Sequence, residues 1–83
     1  MRYDMAKFPE RLRQARERKE MTQKKLAKTA GVSSHTYISN YEAGKHMPNS
    51  FTLIMLAETL DVSLNWLCGE KERQDKKQTL KGA

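Results

Sequence analysis

Five polar side chains fall within seven residues: Ser34, His35, Thr36, Ser39 and Asn40. Each makes short-range hydrogen bonds and none is a strong acid or nucleophile. The amide of Asn40 matches the N6 and N7 edge of adenine with two hydrogen bonds. Thr36 offers a hydroxyl and a methyl, the methyl suited to that of thymine. A ring nitrogen of His35 can meet a base or a phosphate, and His35 equally fits an exposed surface histidine. Ser39 faces nucleic acid or solvent. Ile38 and Tyr41 are interleaved with this set at helical spacing. The polar and apolar groups therefore occupy opposite sides of one short helix. Such a face recognises base edges in a major groove; it does not make or break bonds. No paired carboxylates, supported Cys–His arrangement or phosphate-cradling glycine loop is present, so no enzyme is expected. His35 and His46 lack a partner set for a metal, and neither metal nor cofactor is expected.

The elements that must hold this face are legible around it. Thr22 is a capping residue, and a helix over residues 23–30 follows, with Leu26, Ala27 and Ala30 on one side. Ala27 is small enough for a second helix to cross closely. Gly31 can take the left-handed conformation that ends a helix, and Val32 anchors the turn. Ser33 and Ser34 are both good caps for the polar-faced helix, read as residues 34–43, with Ile38 and Tyr41 inward and Tyr37 at the margin. Upstream, Pro9 suits the first position of a helix over 9–20, whose core face holds Phe8, Leu12 and Ala15. Arg11, Arg13, Arg18 and Lys19 read as its solvated side, interleaved with Glu10, Glu17 and Glu20.

Downstream, Gly44 closes the polar-faced helix, and Pro48 with Asn49 or Ser50 opens another over 50–60. Its buried stripe is Leu53, Leu56, Ala57 and Leu60, while Phe51, Ile54 and Met55 add more apolar surface than one stripe needs. Asp61, Val62 and Ser63 break and recap the chain before a last helix over 64–68. Residues 1–7 read as a flexible arm, 8–69 as one domain, and the charged tail 70–83 as disordered.

Composition agrees. The 83 residues suffice for one small domain, and only 37% are apolar. No stretch reaches membrane-spanning length and no signal peptide is visible. The lone Cys68 cannot form an internal disulfide, which fits a reducing cytoplasm. The net charge of +6 is uneven: residues 9–45 hold nine Lys/Arg against four Glu, whereas 46–69 hold only Glu58 and Asp61. The positive half contains the two-helix unit, as a phosphate-facing surface requires.

Gln23-x-x-Leu26-Ala27, Gly31-Val32-Ser33 and Ile38-Ser39-x-Tyr41-Glu42-x-Gly44 together resemble the phage repressor and Cro type of helix-turn-helix domain. The similarity reaches back to Leu12 and Ala15-Arg16 and forward through Pro48, Leu53, Leu56-Ala57, Leu60, Val62, Ser63-Leu64 and Leu67. There is one departure: an extra residue between Gly31 and Ile38, so either the turn is longer or the following helix starts differently. The resemblance implies an all-α, compact five-helix lambda-repressor-like fold, with helix-turn-helix at the second and third helices. It implies an ion pair between Arg16 and Glu42. It implies phosphate contact by Gln23, for which a local hydrogen bond near the cap is the other reading. Lys24, Tyr37 and Lys45 are taken as further phosphate contacts, and Ser34, His35, Thr36, Ser39 and Asn40 as base contacts. Leu64 and Leu67 match core positions. Trp66 and Cys68 stand where polar residues are more usual, so with Met55 they are read as a dimer interface. The implied function is a sequence-specific regulator of transcription, a repressor, binding double-stranded DNA at a two-fold operator as a homodimer. The alternative is an antitoxin-type module that binds a toxin partner and autoregulates its operon.

Overall fold

A computed structural model describes residues 2–71 of the chain. A 3-10 turn (Met5–Lys7) leads into α1 (Phe8–Arg18), followed by α2 (Gln23–Ala30), α3 (His35–Glu42), α4 (Ser50–Leu60) and α5 (Leu64–Leu67). The fold is all-α with five helices, as expected. α2 packs on α3 and α4, α1 on α3 and α5, and α4 on α5.

Local chemistry sets nearly every boundary. The side-chain oxygens of Thr22, Ser34, Asn49 and Ser63 accept from the backbone N–H of Lys25, Thr36, Thr52 and Trp66 at the starts of α2, α3, α4 and α5. These bonds satisfy amides that the helix itself cannot. Each of the five helices ends on a left-handed residue: Glu20, Gly31, Gly44, Asp61 and Gly69. After each one, the next N–H bonds back to a carbonyl inside the helix, as Val32 does to Ala27 at 2.8 Å and Lys45 to Asn40 at 2.9 Å.

Phe8, Leu12, Ala15, Leu26, Ala27, Ala30, Ile38, Tyr41, Leu56, Ala57, Leu60 and Leu67 form the core. The ring of Phe8 meets Tyr41 edge-on, with centroids 6.3 Å apart, joining α1 to α3. Burial raises the Tyr41 phenol above its ordinary value, with a smaller push from Tyr37. Two expected core positions differ: Leu53 is half-buried and Leu64 is exposed. Leu64 is the first residue of a one-turn helix, and Leu67 is the side chain that enters the core.

The N-terminal residues, read as a flexible arm, lie against the chain exit in the structure. Asp4 caps the 3-10 turn, its N–H reaches the Gly69 carbonyl at 2.8 Å, and Tyr3 and Glu70 form an antiparallel bridge. Of the expected tail, Glu70 and Lys71 take part in this pairing, since Lys71 N–H donates to the Arg2 carbonyl at 2.8 Å. The rest of that tail, 72–83, and Met1 lie outside the described residues. Among the described residues, no helix is long and apolar enough to cross a membrane.

Glu20 ends α1 at φ 57°, a conformation that costs a non-glycine residue roughly 1–2 kcal/mol. Glu20→Gly removes that cost and adds about 0.5–1 kcal/mol of chain entropy to be lost on folding. The exposed Glu20→Gly variant is therefore expected to be more stable than the parent by up to about 1 kcal/mol, read as a higher urea midpoint at unchanged slope.

Candidate nucleic-acid interface

The polar-faced helix is held by a turn whose geometry follows from two residues. Gly31, at φ 78°, reverses the chain, and Ser34 starts α3 by accepting from Thr36 N–H at 3.1 Å. α3 begins at His35, with Ser34 as its N-terminal cap. Of the two candidate caps, Ser34 is the one used, so the helix starts one residue later than read: its oxygen is committed to the backbone and the residue is half-buried. His35 and Thr36 are exposed, and Ser39 and Asn40 are half-buried beside them, so α3 does present short polar groups outward. Tyr37, 49% exposed, stands out from the margin of this face.

Beneath that face lies a three-helix junction. The Glu42 carboxylate accepts from Arg16 Nε at 2.6 Å, from Arg16 Nη2 at 3.0 Å and from Gln23 Nε2 at 3.1 Å. Arg16 Nη1 also donates to the Met21 carbonyl at 2.9 Å. Side-chain exposure is 13% for Arg16 and 7% for Glu42, so the pair is largely removed from water. The hydrogen bonds that Arg16 donates to the Glu42 carboxylate hold the Arg16 pKa above its ordinary value, with burial opposing them. The raised value keeps Arg16 charged, so its own ionisation does not break the pair until pH climbs through that value.

Gln23 therefore has a partner that neither sequence reading named. Its bond is not local to the cap but crosses to the end of α3. An amide has two N–H donors, so this bond leaves Gln23 chemically able to offer a second. Lys24, Lys25, Lys28 and Lys45 are exposed around α2 and the loop after α3. Met55, Trp66 and Cys68 are half-buried, while Phe51 at 70%, Ile54 and Leu64 carry the more exposed apolar surface of α4 and α5. Burial pushes the Cys68 thiol up from its ordinary value. Among the described residues no group of three or more His, Cys, Asp or Glu side chains is placed to hold a metal ion.

Arg11 was assigned to the solvated side of α1 and is buried instead. Its guanidinium lies 5.1 Å from the Trp66 ring centroid and donates to the carbonyls of Trp66 at 2.6 Å and Glu70 at 2.8 Å. A sequence signal existed: Arg11 falls three residues after Phe8 and four before Ala15, on the apolar stripe itself.

The helix-turn-helix family profile matches residues 12–67. A Bacillus subtilis protein described as an uncharacterized HTH-type transcriptional regulator, YqaE, is 38% identical over 60 residues, covering 72% of this chain and 51% of that protein. The cryptic phage CTXphi transcriptional repressor RstR of Vibrio cholerae is 35% identical over 63 residues, covering 76% of this chain and 55% of its own length. The chain thus spans about half the length of these curated relatives. Among solved structures, the P22 c2 repressor in complex with a synthetic operator superposes with a TM-score of 0.69 at 33% identity, over 72% of this chain and 89% of that one.

Removing Arg16 would leave the Glu42 carboxylate in a dry junction with Gln23 alone. Arg16→Met is expected to destabilise the fold by roughly 3–5 kcal/mol, whereas the double variant Arg16→Met, Glu42→Leu should recover most of that loss. Urea unfolding of the two single variants and the double variant measures the coupling.

Proposed function

The chain belongs to the helix-turn-helix family, and on that premise we propose that it is a sequence-specific regulator of transcription that binds double-stranded DNA through α3. The observation that carries the reading is the outward polar face of α3, locked from behind by Glu42 and flanked by exposed lysines. Asn40, Thr36 and His35 read base edges, with Ser39 beside them; Ser34 contributes through the start of the helix that it caps. Lys24, Lys45 and the phenol of Tyr37 grip phosphates on either side. Gln23 adds a phosphate contact with its second N–H while the first stays on Glu42.

Occupancy of an operator by this domain would act as repression. The regulator works in the cytoplasm as a DNA-binding protein and not as an enzyme. It reads a two-fold operator as a homodimer, because half-sites one DNA turn apart need two copies of one reading head. The face offered for pairing is that of α4 and α5. There Phe51, Ile54 and Leu64 supply exposed apolar area, and Met55, Trp66 and Cys68 of the same segment are half-buried. The bound protein in a solved P22 c2 repressor–operator complex shares the fold at 33% identity, which supports the DNA-binding half of this reading.

Two substitutions separate base reading from phosphate grip. Asn40→Ala is expected to lower the ratio of specific to non-specific binding by the roughly 1–3 kcal/mol of one bidentate adenine contact. Lys24→Ala should weaken both modes alike and reduce the salt slope by about 1. Sites selected from random duplex DNA, followed by titrations at several salt concentrations, measure both. Unchanged sequence preference in Asn40→Ala would remove α3 from the reading role.

A further inference from the structure

The N-terminal residues and α5 form a unit that the DNA-reading face does not use. α5 is a single turn, far shorter than a helix that holds itself together in water. Leu67 is its one fully buried side chain, and Ser63 caps its start. Besides its packing on α4 and α1, α5 is tied to the far end of the sequence. Asp4 N–H bonds the Gly69 carbonyl and Lys71 N–H bonds the Arg2 carbonyl, each at 2.8 Å. From α1, Arg11 covers the Trp66 ring and donates to two carbonyls at the C-terminal end of α5, where a helix end favours a cation. The approach is close enough that a Cβ on Gly69 would overlap the Asp4 carbonyl, and Gly69 also sits at φ 98°.

The hydrogen bonds that tie residues 2–7 and Arg11 to α5 involve no group of the Arg16–Glu42–Gln23 junction, and only Leu67, with Trp66 packed beside it, joins α5 to the core shared with α2 and α3. We propose that residues 2–7, with Arg11 as positioning residue, are a clasp that seats α5. The clasp opens as one unit without loosening the helix pair α2–α3. Leu64 and Trp66 travel with α5, so the clasp sets whether the α4–α5 face is assembled. An open clasp leaves a reading head that engages one half-site and cannot pair. That last consequence rests on the dimeric DNA-binding reading above; the separate opening of the clasp does not.

The test uses the full chain and two variants, Gly69→Ala and deletion of residues 2–7. Amide hydrogen exchange at residues 69–71 is expected to speed up by about tenfold or more in both, with Trp66 emission shifting to the red. Exchange across α2 and α3 is expected to stay within about twofold of the parent. On DNA, both variants should keep their affinity for a duplex with one half-site and lose the added affinity for two. Exchange at 69–71 unchanged in both variants would overturn the clasp. So would exchange in α2 and α3 rising in step with it, since the clasp would then be part of one indivisible core. Open variants that still bind two half-sites like the parent would sever the clasp from pairing. If the parent itself prefers no duplex over any other, the DNA-binding reading falls, and the exchange result still decides whether the clasp exists.

Discussion

A single carboxylate organises the junction of α1, α2 and α3. Glu42 closes α3 and collects donors from Arg16 on α1 and Gln23 at the head of α2. Three helices that are separate in sequence are thus fixed at one point. Desolvating this charge is expensive, and the bidentate guanidinium and amide together offset the cost. The benefit is angular: ordinary apolar packing between α2 and α3 tolerates sliding, whereas three directed hydrogen bonds do not. On the proposed function, reading of base edges would depend on that angle, because a displaced helix presents the same side chains to the wrong bases.

Around this junction the small core is divided economically. Small residues, Ala15, Ala27, Ala30 and Ala57, let the short helices approach closely, and a few large ones, Phe8, Leu12, Leu26, Ile38, Leu56, Leu60 and Leu67, fill the space between. With so little apolar area to spend, helix ends matter. Side-chain caps at the starts and left-handed residues at the ends satisfy backbone groups that a larger domain could leave to packing. Two ends are closed by Glu20 and Asp61 instead of glycine, so the chain carries some local strain at the ends of α1 and α4.

α1 serves both ends of the molecule. Arg16 reaches α3 and Arg11 reaches the chain exit beyond α5, and both guanidiniums also bond backbone carbonyls. Arginine suits both places because its planar fork can serve several acceptors at once and is weakly hydrated, so it tolerates burial better than lysine. The remaining cations, Lys24, Lys25, Lys28 and Lys45 among them, stay exposed and keep their charge available to a polyanion.

Local pattern by itself determined the five helices, since caps, breakers and apolar spacing are properties of neighbours in the chain. Thr22, Gly31, Asn49 and Ser63 act where a reading of nearest neighbours puts them, and boundaries shift only by a residue or two, as at Ser34. The family resemblance added the Arg16–Glu42 pair, and the structure makes that pair. Tertiary structure alone decided what long-range partners do to polar groups. Arg11 looks like a surface charge until the carbonyls of Trp66 and Glu70 arrive from more than fifty residues away. Gln23 looks free until Glu42 reaches it, and residues 2–7 look loose until Gly69 offers a gap without a Cβ. Each of these depends on groups distant in sequence meeting at hydrogen-bond distance. Periodicity and composition carry no information about such meetings, because they record which face a residue takes and not which partner waits there.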